Sequence, residues 1–125
     1  MKEKQVETYI LEYLNMIGYG RQEQGGKAMI KKWSKTYVIN LAPEGTPDIS
    51  FLYKWKFYWI EVKKNKENYD KWLKLEIRYR NWEILPKSYR RELMQIKTKD
   101  KIEKNWWIHI LTYCIKDIIL FFKKV

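Results

Sequence analysis

The chain has 125 residues and is 46% hydrophobic, which suits a single domain with a hydrophobic core. Its formal net charge of +11 favours a polyanionic partner, most often nucleic acid, although a lysine-rich proteome would give the same surplus. A single cysteine excludes an internal disulfide, and the charged N-terminus does not resemble a signal peptide. No apolar run is long enough to span a membrane. We therefore expect an intracellular protein with no membrane partner.

Residues 3–17 have the spacing of an amphipathic helix, with Val6, Ile10 and Leu14 on one stripe. At ~100° per residue, Glu3 projects into the middle of that stripe and Glu7 onto its border. A carboxylate on a core-facing stripe is costly unless it is paired or binds a metal. Both are therefore candidates for a metal site, with Glu3 first. The alternative for Glu3 is a favourable interaction with the positive end of the helix dipole.

The next segment mixes glycine-rich loops with apolar runs. Gly18 is expected to end the first helix, and residues 21–27 are expected to form a polar loop. The runs at 28–34 and 36–41 predict two strands. A turn at 42–45 then leads into the most informative part of the chain.

Two aromatic-rich runs, 49–53 and 57–63, flank a short polar turn, which predicts a β-hairpin. Because side chains alternate along a strand, Glu61 and Lys63 point the same way. Asp48 opens the neighbouring strand and can reach the same spot. Two carboxylates that converge beside an ammonium group form a site for a hard divalent cation.

The second half predicts helices around one further strand. In order, we expect a solvated loop at 64–68, a helix at 69–82, a basic helix at 88–104, a strand at 106–113 and a helix at 115–124. His109 and Cys114 are expected to be packing residues, since neither has neighbours with metal-ligand or nucleophile spacing. The order helix, strands, helix, strand, helix predicts a mixed α/β sheet flanked by helices.

Pro47-Asp48 followed by Glu61-Val62-Lys63 resembles the PD-(D/E)XK nuclease motif. The glutamate-led first helix, Arg21 after a glycine, and the segment 45–49 (Gly-Thr-Pro-Asp-Ile) make the chain similar to the small stand-alone VRR-NUC branch of phages and other viruses.

The resemblance implies a restriction-endonuclease-like α/β fold of αβββαβα order in one domain, 1–125, with 65–86 as a divergent region or an insertion. The family's usual glutamine follows the Glu-x-Lys strand on a helix. Here Gln95 is the available match, and Tyr89 is the alternative occupant of that position.

Metal-dependent hydrolysis of DNA is the activity that the resemblance implies. Asp48 and Glu61 would bind Mg²⁺ or Mn²⁺, with the carbonyl oxygen of Val62 as a further ligand. Glu3 or Glu7 would add an outer ligand through water. The metal lowers the pKa of a bound water, and Lys63 would orient that water or stabilise the charge that develops on phosphorus.

Several basic residues are candidates for phosphate contacts, namely Arg21, Lys64, Lys66, Arg90 and Arg91. The expected partner is duplex, nicked or branched DNA, and small members of the family tend to dimerise, which makes a homodimer one expectation. If the protein is viral, its expected location is the cytoplasm of the host cell. The rival hypothesis is a basic nucleic-acid-binding protein that keeps this fold without catalysis.

Overall fold

The computed structural model describes residues 2–23, 27–32, 35–40 and 43–125, and of 27–32, 35 and 37–40 the backbone alone. Within those ranges four α-helices and six strands follow one another. They are α1 (Glu3–Ile17), β1 (Tyr19–Gln22), β2 (Lys27–Lys32), β3 (Lys35–Asn40), β4 (Ile49–Tyr53), β5 (Lys56–Val62), α2 (Lys66–Arg80), α3 (Arg90–Lys104), β6 (Ile108–Thr112) and α4 (Ile115–Lys123). A 3₁₀ turn, Lys87–Tyr89, precedes α3. None of the helices in the described ranges has the length and apolar character that a membrane span requires.

The main sheet has four strands in the order β1-β4-β5-β6. Its first three strands pair antiparallel, whereas β5 and β6 pair parallel. A parallel pair requires a long crossover, which α2 and α3 supply. The strands β2 and β3 form a separate antiparallel hairpin. The predicted mixed sheet flanked by helices is therefore confirmed.

Two hydrophobic clusters cover opposite faces of the main sheet. Helices α1 and α4 pack on one face, in a cluster formed by Val6, Ile10, Leu14, Ile49, Phe51, Tyr58, Ile60, Val62, Ile118 and Phe122. Helices α2 and α3 pack on the other, in a cluster formed by Trp72, Leu75, Leu85 and Ile96. Since Ile60 and Val62 of β5 point into the first cluster, Glu61 between them faces α2 and α3, as the alternation predicts.

The turn between β4 and β5 consists of two residues, Lys54 and Trp55, with φ of 49° and 66°. Tyr53 pairs with Lys56 on either side of it. Two consecutive positive φ values are those of a type I′ turn, whose twist matches that of the flanking strands. The turn is one residue shorter than predicted, because Lys56 belongs to β5.

The first helix ends at Gly18, as predicted. The polar loop predicted at 21–27 is wrong at its start, because residues 19–22 form β1, which pairs with β4 from Tyr19 opposite Leu52 to Gln22 opposite Ile49. Its glycine and polar residues have low strand propensity, so the strand is determined by the β4 backbone beside it. The rest of the predicted loop includes residues 24–26, which lie outside the described residues.

The predicted strands at 28–34 and 36–41 correspond to β2 and β3, and residues 33–34 and 41 lie outside the described residues. The solvated loop predicted at 64–68 is too long. Asn65 already caps α2, because its side chain accepts a hydrogen bond from the Asn68 backbone N–H at 2.9 Å.

Candidate active site

Glu3, Glu7 and Asp48 bring three carboxylates together where α1 begins and β4 starts. One oxygen atom of each lies within 4.8 Å of the others. Asp48 is held in place by a hydrogen bond that its Oδ2 accepts from the Val62 backbone N–H at 2.7 Å, at the end of β5. Carboxylate oxygens at this spacing are the donors that a hard divalent cation prefers.

Glu61 lies beside this cluster and is only 1% exposed. Its Oε1 accepts a hydrogen bond from Gln95 Nε2 at 3.0 Å and lies 3.6 Å from Lys63 Nζ. Its Oε2 is buried without a hydrogen-bond partner among the described residues. A buried carboxylate oxygen without a partner is costly, so a cation next to Oε2 would satisfy it.

Lys63 extends the end of β5 through a hydrogen bond from its backbone N–H to the Thr112 carbonyl oxygen at 2.8 Å. Its side chain is buried, and Nζ donates to Gln95 Oε1 at 2.8 Å. Glu61 and Lys63 therefore point to the same side of the sheet, and Asp48 approaches from the neighbouring strand. The structure brings together the three side chains on which the sequence motif depends.

Gln95 of α3 joins Glu61 and Lys63, and it is the residue that the resemblance offered for the family's glutamine. Its Oε1 accepts hydrogen bonds from Lys63 Nζ and from Trp72 Nε1, the latter at 2.9 Å, while its Nε2 donates to Glu61. Those partners determine which way the amide points. A signal for Gln95 exists in the sequence, because it lies one heptad before Ile102 and so on the inner face of the helix.

Of the two candidates for the glutamine position, Gln95 contacts the Glu-x-Lys pair. Tyr89 lies in the 3₁₀ turn before α3, with the Lys71 ammonium group 5.0 Å from the centre of its ring.

Residues 65–86, predicted as a divergent region or an insertion, include α2. Trp72 of that helix is buried and donates to Gln95. The segment thus contributes directly to the surroundings of the site.

Burial and mutual repulsion raise the pKa of each of three carboxyl groups. Desolvation first, and the charge of Asp48 second, raises the pKa of Glu7 to about 7. The pKa of Glu61 is raised by the same two causes in the same order, and desolvation also raises the pKa of Asp48. The positive charges of Lys63 and Arg91 oppose the shifts of Asp48 and Glu61. Glu7, Asp48 and Glu61 therefore retain their protons more readily than isolated carboxyl groups do, unless a bound cation neutralises them.

The relative placement of the two glutamates of α1 differs from the prediction. Glu7 is 9% exposed and accepts a hydrogen bond from Gln22 Nε2 at 3.4 Å, whereas Glu3 is half-buried. Glu3 is the first residue of α1 and lines the cleft over the site. It therefore lies at the mouth of the site and Glu7 lies deeper.

A cleft of about 120 Å³ opens over the site between α1, α2 and α3. Acidic, basic and aromatic side chains share its wall: Glu3, Lys63, Asn68, Lys71, Trp72, Arg91 and Glu92. Cations beside a group of carboxylates suit a phosphate group that approaches a metal, because they stabilise negative charge on its oxygens.

Two of the predicted nucleic-acid-binding residues have acidic partners away from the cleft. Arg21 on β1 pairs with Glu23 at 2.9 Å, and Arg90 pairs with Glu44 at 3.1 Å. Arg91, next in sequence, lines the cleft. The two neighbouring arginines of α3 thus have different surroundings.

Lys64 and Lys66 lie beyond Lys63 and line a separate cavity of about 480 Å³ beside the start of α2. Lys66 also pairs with Asp70 at 2.8 Å on the same helix. An exposed pair of this kind is weak, so Lys66 stays available for a phosphate group.

His109 is packed, as predicted. Its ring stacks on Trp72 with centroids 5.9 Å apart and an interplanar angle of 14°. Burial lowers the pKa of His109 to about 4, so the ring is neutral at physiological pH. Cys114 is half-buried just before α4, which makes it less enclosed than predicted.

No family model, curated protein or solved structure matches the chain. Its function is therefore inferred from the residues of the site and their geometry.

Proposed function

We propose that this protein is a divalent-metal-dependent DNA endonuclease of the PD-(D/E)XK type. One observation carries the proposal: Asp48, Glu61 and Lys63 converge at one end of β4 and β5, beside Glu3 and Glu7. The element order supports it as well. With the β2–β3 hairpin set aside, the chain runs α1, β1, β4, β5, the α2–α3 pair, β6 and α4, which is the order that the sequence resemblance implies.

Asp48, Glu61 and Glu7 are the proposed carboxylate ligands of Mg²⁺ or Mn²⁺, with Glu3 at the cleft mouth as an outer ligand through water and the Val62 carbonyl oxygen as a further ligand. The donor set fits, because it consists of oxygens and includes the unpartnered Oε2 of Glu61. When bound, such a metal supplies an activated water at neutral pH and polarises the phosphate group.

Lys63 and Gln95 have distinct parts in the proposed reaction. Gln95 fixes the position of the Lys63 ammonium group by accepting its hydrogen bond at 2.8 Å. The remaining N–H groups of Lys63 can then donate to a phosphate oxygen or to the attacking water. Arg91 in the cleft wall would neutralise negative charge on the phosphodiester.

The test is cleavage of supercoiled plasmid, nicked DNA and branched DNA in Mn²⁺ or in EDTA. We expect metal-dependent cleavage by the wild type and none by Asp48→Ala. Asp117→Ala, which removes an exposed acid on α4, is the matched control and should cleave normally. Cleavage in EDTA, or equal cleavage by Asp48→Ala, would contradict the proposal.

The second candidate is a nucleic-acid-binding protein without catalytic activity, which the net charge of +11 favours. It predicts binding with no cleavage in any metal, unchanged by Asp48→Ala. Both candidates predict that affinity falls steeply as salt rises, since each requires phosphate contacts. Mn²⁺ binding measured by calorimetry separates them, because only the nuclease requires the carboxylates to hold an ion.

A further inference from the structure

Three tryptophans combine unusual exposure with unusual backbone conformation. Trp55, Trp82 and Trp106 are 100%, 93% and 94% exposed and have φ of 66°, 64° and 65°. A positive φ is unfavourable for a bulky residue, and an exposed indole gains nothing from burial. The hairpin turn at Trp55 and the C-terminal ends of α2 and α3 at Trp82 and Trp106 require the positive φ. Such positions favour glycine or asparagine, so the fold does not explain why each carries an exposed tryptophan.

Trp55 and Trp106 line one groove, of about 490 Å³. Trp107 and Phe57 add to its aromatic wall, with ring centroids 5.6 Å apart, and Phe57 in turn stacks on Trp59 at 5.6 Å. We call this surface the aromatic groove; its described lining is Leu52, Trp55, Lys56, Phe57, Asn105, Trp106, Trp107 and Ile108. Trp82 lies elsewhere, in a cavity that it shares with Tyr79, Arg80 and Asp100.

The aromatic groove and the candidate active site lie at opposite ends of one face of β5. The side chains of Phe57, Trp59 and Glu61 all lie on that face, because every second residue of a strand points the same way, and Lys63 continues the row. At ~3.3 Å per residue, the six steps along the chain from Phe57 to Lys63 span about 20 Å. A few nucleotides of extended single strand can cover that distance.

The chemistry of the groove fits nucleobases attached to phosphates. Aromatic side chains stack on any base, and the lining residues that the structure describes include a cation, Lys56, and no acid. The net charge of +11 attracts the phosphates that link such bases. We propose that the aromatic groove binds unpaired bases of a single-stranded DNA segment that leads to the candidate active site. The connection to a cleaved strand rests on the proposed nuclease function, whereas base binding does not.

The test replaces Trp55 and Trp106 singly with glycine. Because glycine favours positive φ, both variants should fold with an unchanged or higher Tm. Fluorescence anisotropy in EDTA then measures binding of an oligothymidylate of about 12 nucleotides. We expect each variant to lose about tenfold in affinity, which corresponds to one stacked base. Trp82→Gly is the matched control, since it makes the same change at nearly the same φ outside the groove, and it should bind as the wild type does.

An abasic oligomer of equal length and charge provides a second control. It should bind more weakly than the oligothymidylate, and the glycine variants should not change its affinity. Equal oligothymidylate affinities for the wild type, Trp55→Gly and Trp106→Gly would overturn the proposal. An equal loss in Trp82→Gly would do the same, because the effect would then not belong to the groove.

Two other occupants give different results. If the wild type sediments as a dimer, and the groove variants are monomers with unchanged oligonucleotide affinity, the groove is a subunit interface and the proposal is wrong. Groove-dependent binding to anionic vesicles in place of oligonucleotide would also overturn it. Groove-dependent binding without metal-dependent cleavage would support the groove and remove the nuclease assignment, so the two proposals can fail separately.

Discussion

Replacing Glu7 with glutamine should stabilise the metal-free protein at pH 8 and change its stability little at pH 5. Glu7 is buried, and one of its oxygens lies within 4.8 Å of oxygens of Glu3 and Asp48. Glutamine has nearly the same shape and keeps an acceptor for the hydrogen bond from Gln22. The substitution therefore removes the charge and leaves the packing.

The magnitude follows from the pKa of Glu7, about 7 in the folded protein against an ordinary 4.5. Because the folded state holds the proton more tightly, stability falls as pH rises from about 4.5 and the loss is complete above about 7. At 1.4 kcal/mol per pH unit, ionised Glu7 costs about 3 kcal/mol at pH 8 and roughly 1 kcal/mol or less at pH 5. Glutamine removes that cost.

Urea denaturation followed by tryptophan fluorescence, in EDTA at pH 5 and pH 8, measures the difference. Glu12→Gln is the control, because Glu12 is exposed on the same helix and its replacement should change the free energy of unfolding at neither pH. An equal effect of Glu7→Gln at both pH values, or a destabilisation at pH 8, would refute the reasoning.

The wild type and Glu7→Gln also test whether Glu7 binds a metal ion. At pH 8, Mn²⁺ should stabilise the wild type, since an ion that binds only the folded state adds its binding free energy to stability. Glu7→Gln should gain less from Mn²⁺ because it lacks one carboxylate. Equal gains would show that Glu7 holds no ion.

Three further changes have distinct expected results. Gln95→Leu removes the buried hydrogen bonds of the amide to Glu61 and Lys63 and should cost about 1–3 kcal/mol in urea denaturation; an unchanged midpoint would show that these hydrogen bonds contribute nothing. Gly45→Ala should reduce the free energy of unfolding by more than about 2 kcal/mol and lower the Tm, because Gly45 has φ 88° and an added Cβ would lie 2.5 Å from the Met94 carbonyl oxygen. A wild-type Tm would contradict that clash. Burial lowers the pKa of His109 to about 4 from 6.5, so this ring alone should cost roughly 3 kcal/mol as pH falls from 6.5 to 4, while Glu7 contributes in the opposite direction. In urea denaturation His109→Phe should therefore gain roughly 3 kcal/mol relative to the wild type between those pH values, and parallel pH profiles of the two proteins would contradict it.

The parts of the fold that the sequence predicts are those with a clean local period. The bounds of α1 follow from its apolar stripe, and the shared direction of Glu61 and Lys63 follows from strand alternation. The strand β1 was missed because its own residues do not favour a strand, and only the pairing with β4 makes it one. The order of Glu3 and Glu7 was wrong because a helical wheel does not show which neighbouring elements cover each turn of the helix.

Helices α2 and α3 supply the groups that hold the site together. Trp72 of α2 and Gln95 of α3 form a hydrogen-bonded chain that ends on Glu61 and Lys63. Contacts of this kind join residues more than twenty positions apart and leave no local period to detect. They also explain why an ammonium group and a carboxylate can be buried together: the Gln95 amide accepts from one and donates to the other, so removing it should misplace both. Site geometry therefore depends on the packing of α2 and α3 as much as on the β4–β5 hairpin that carries the motif.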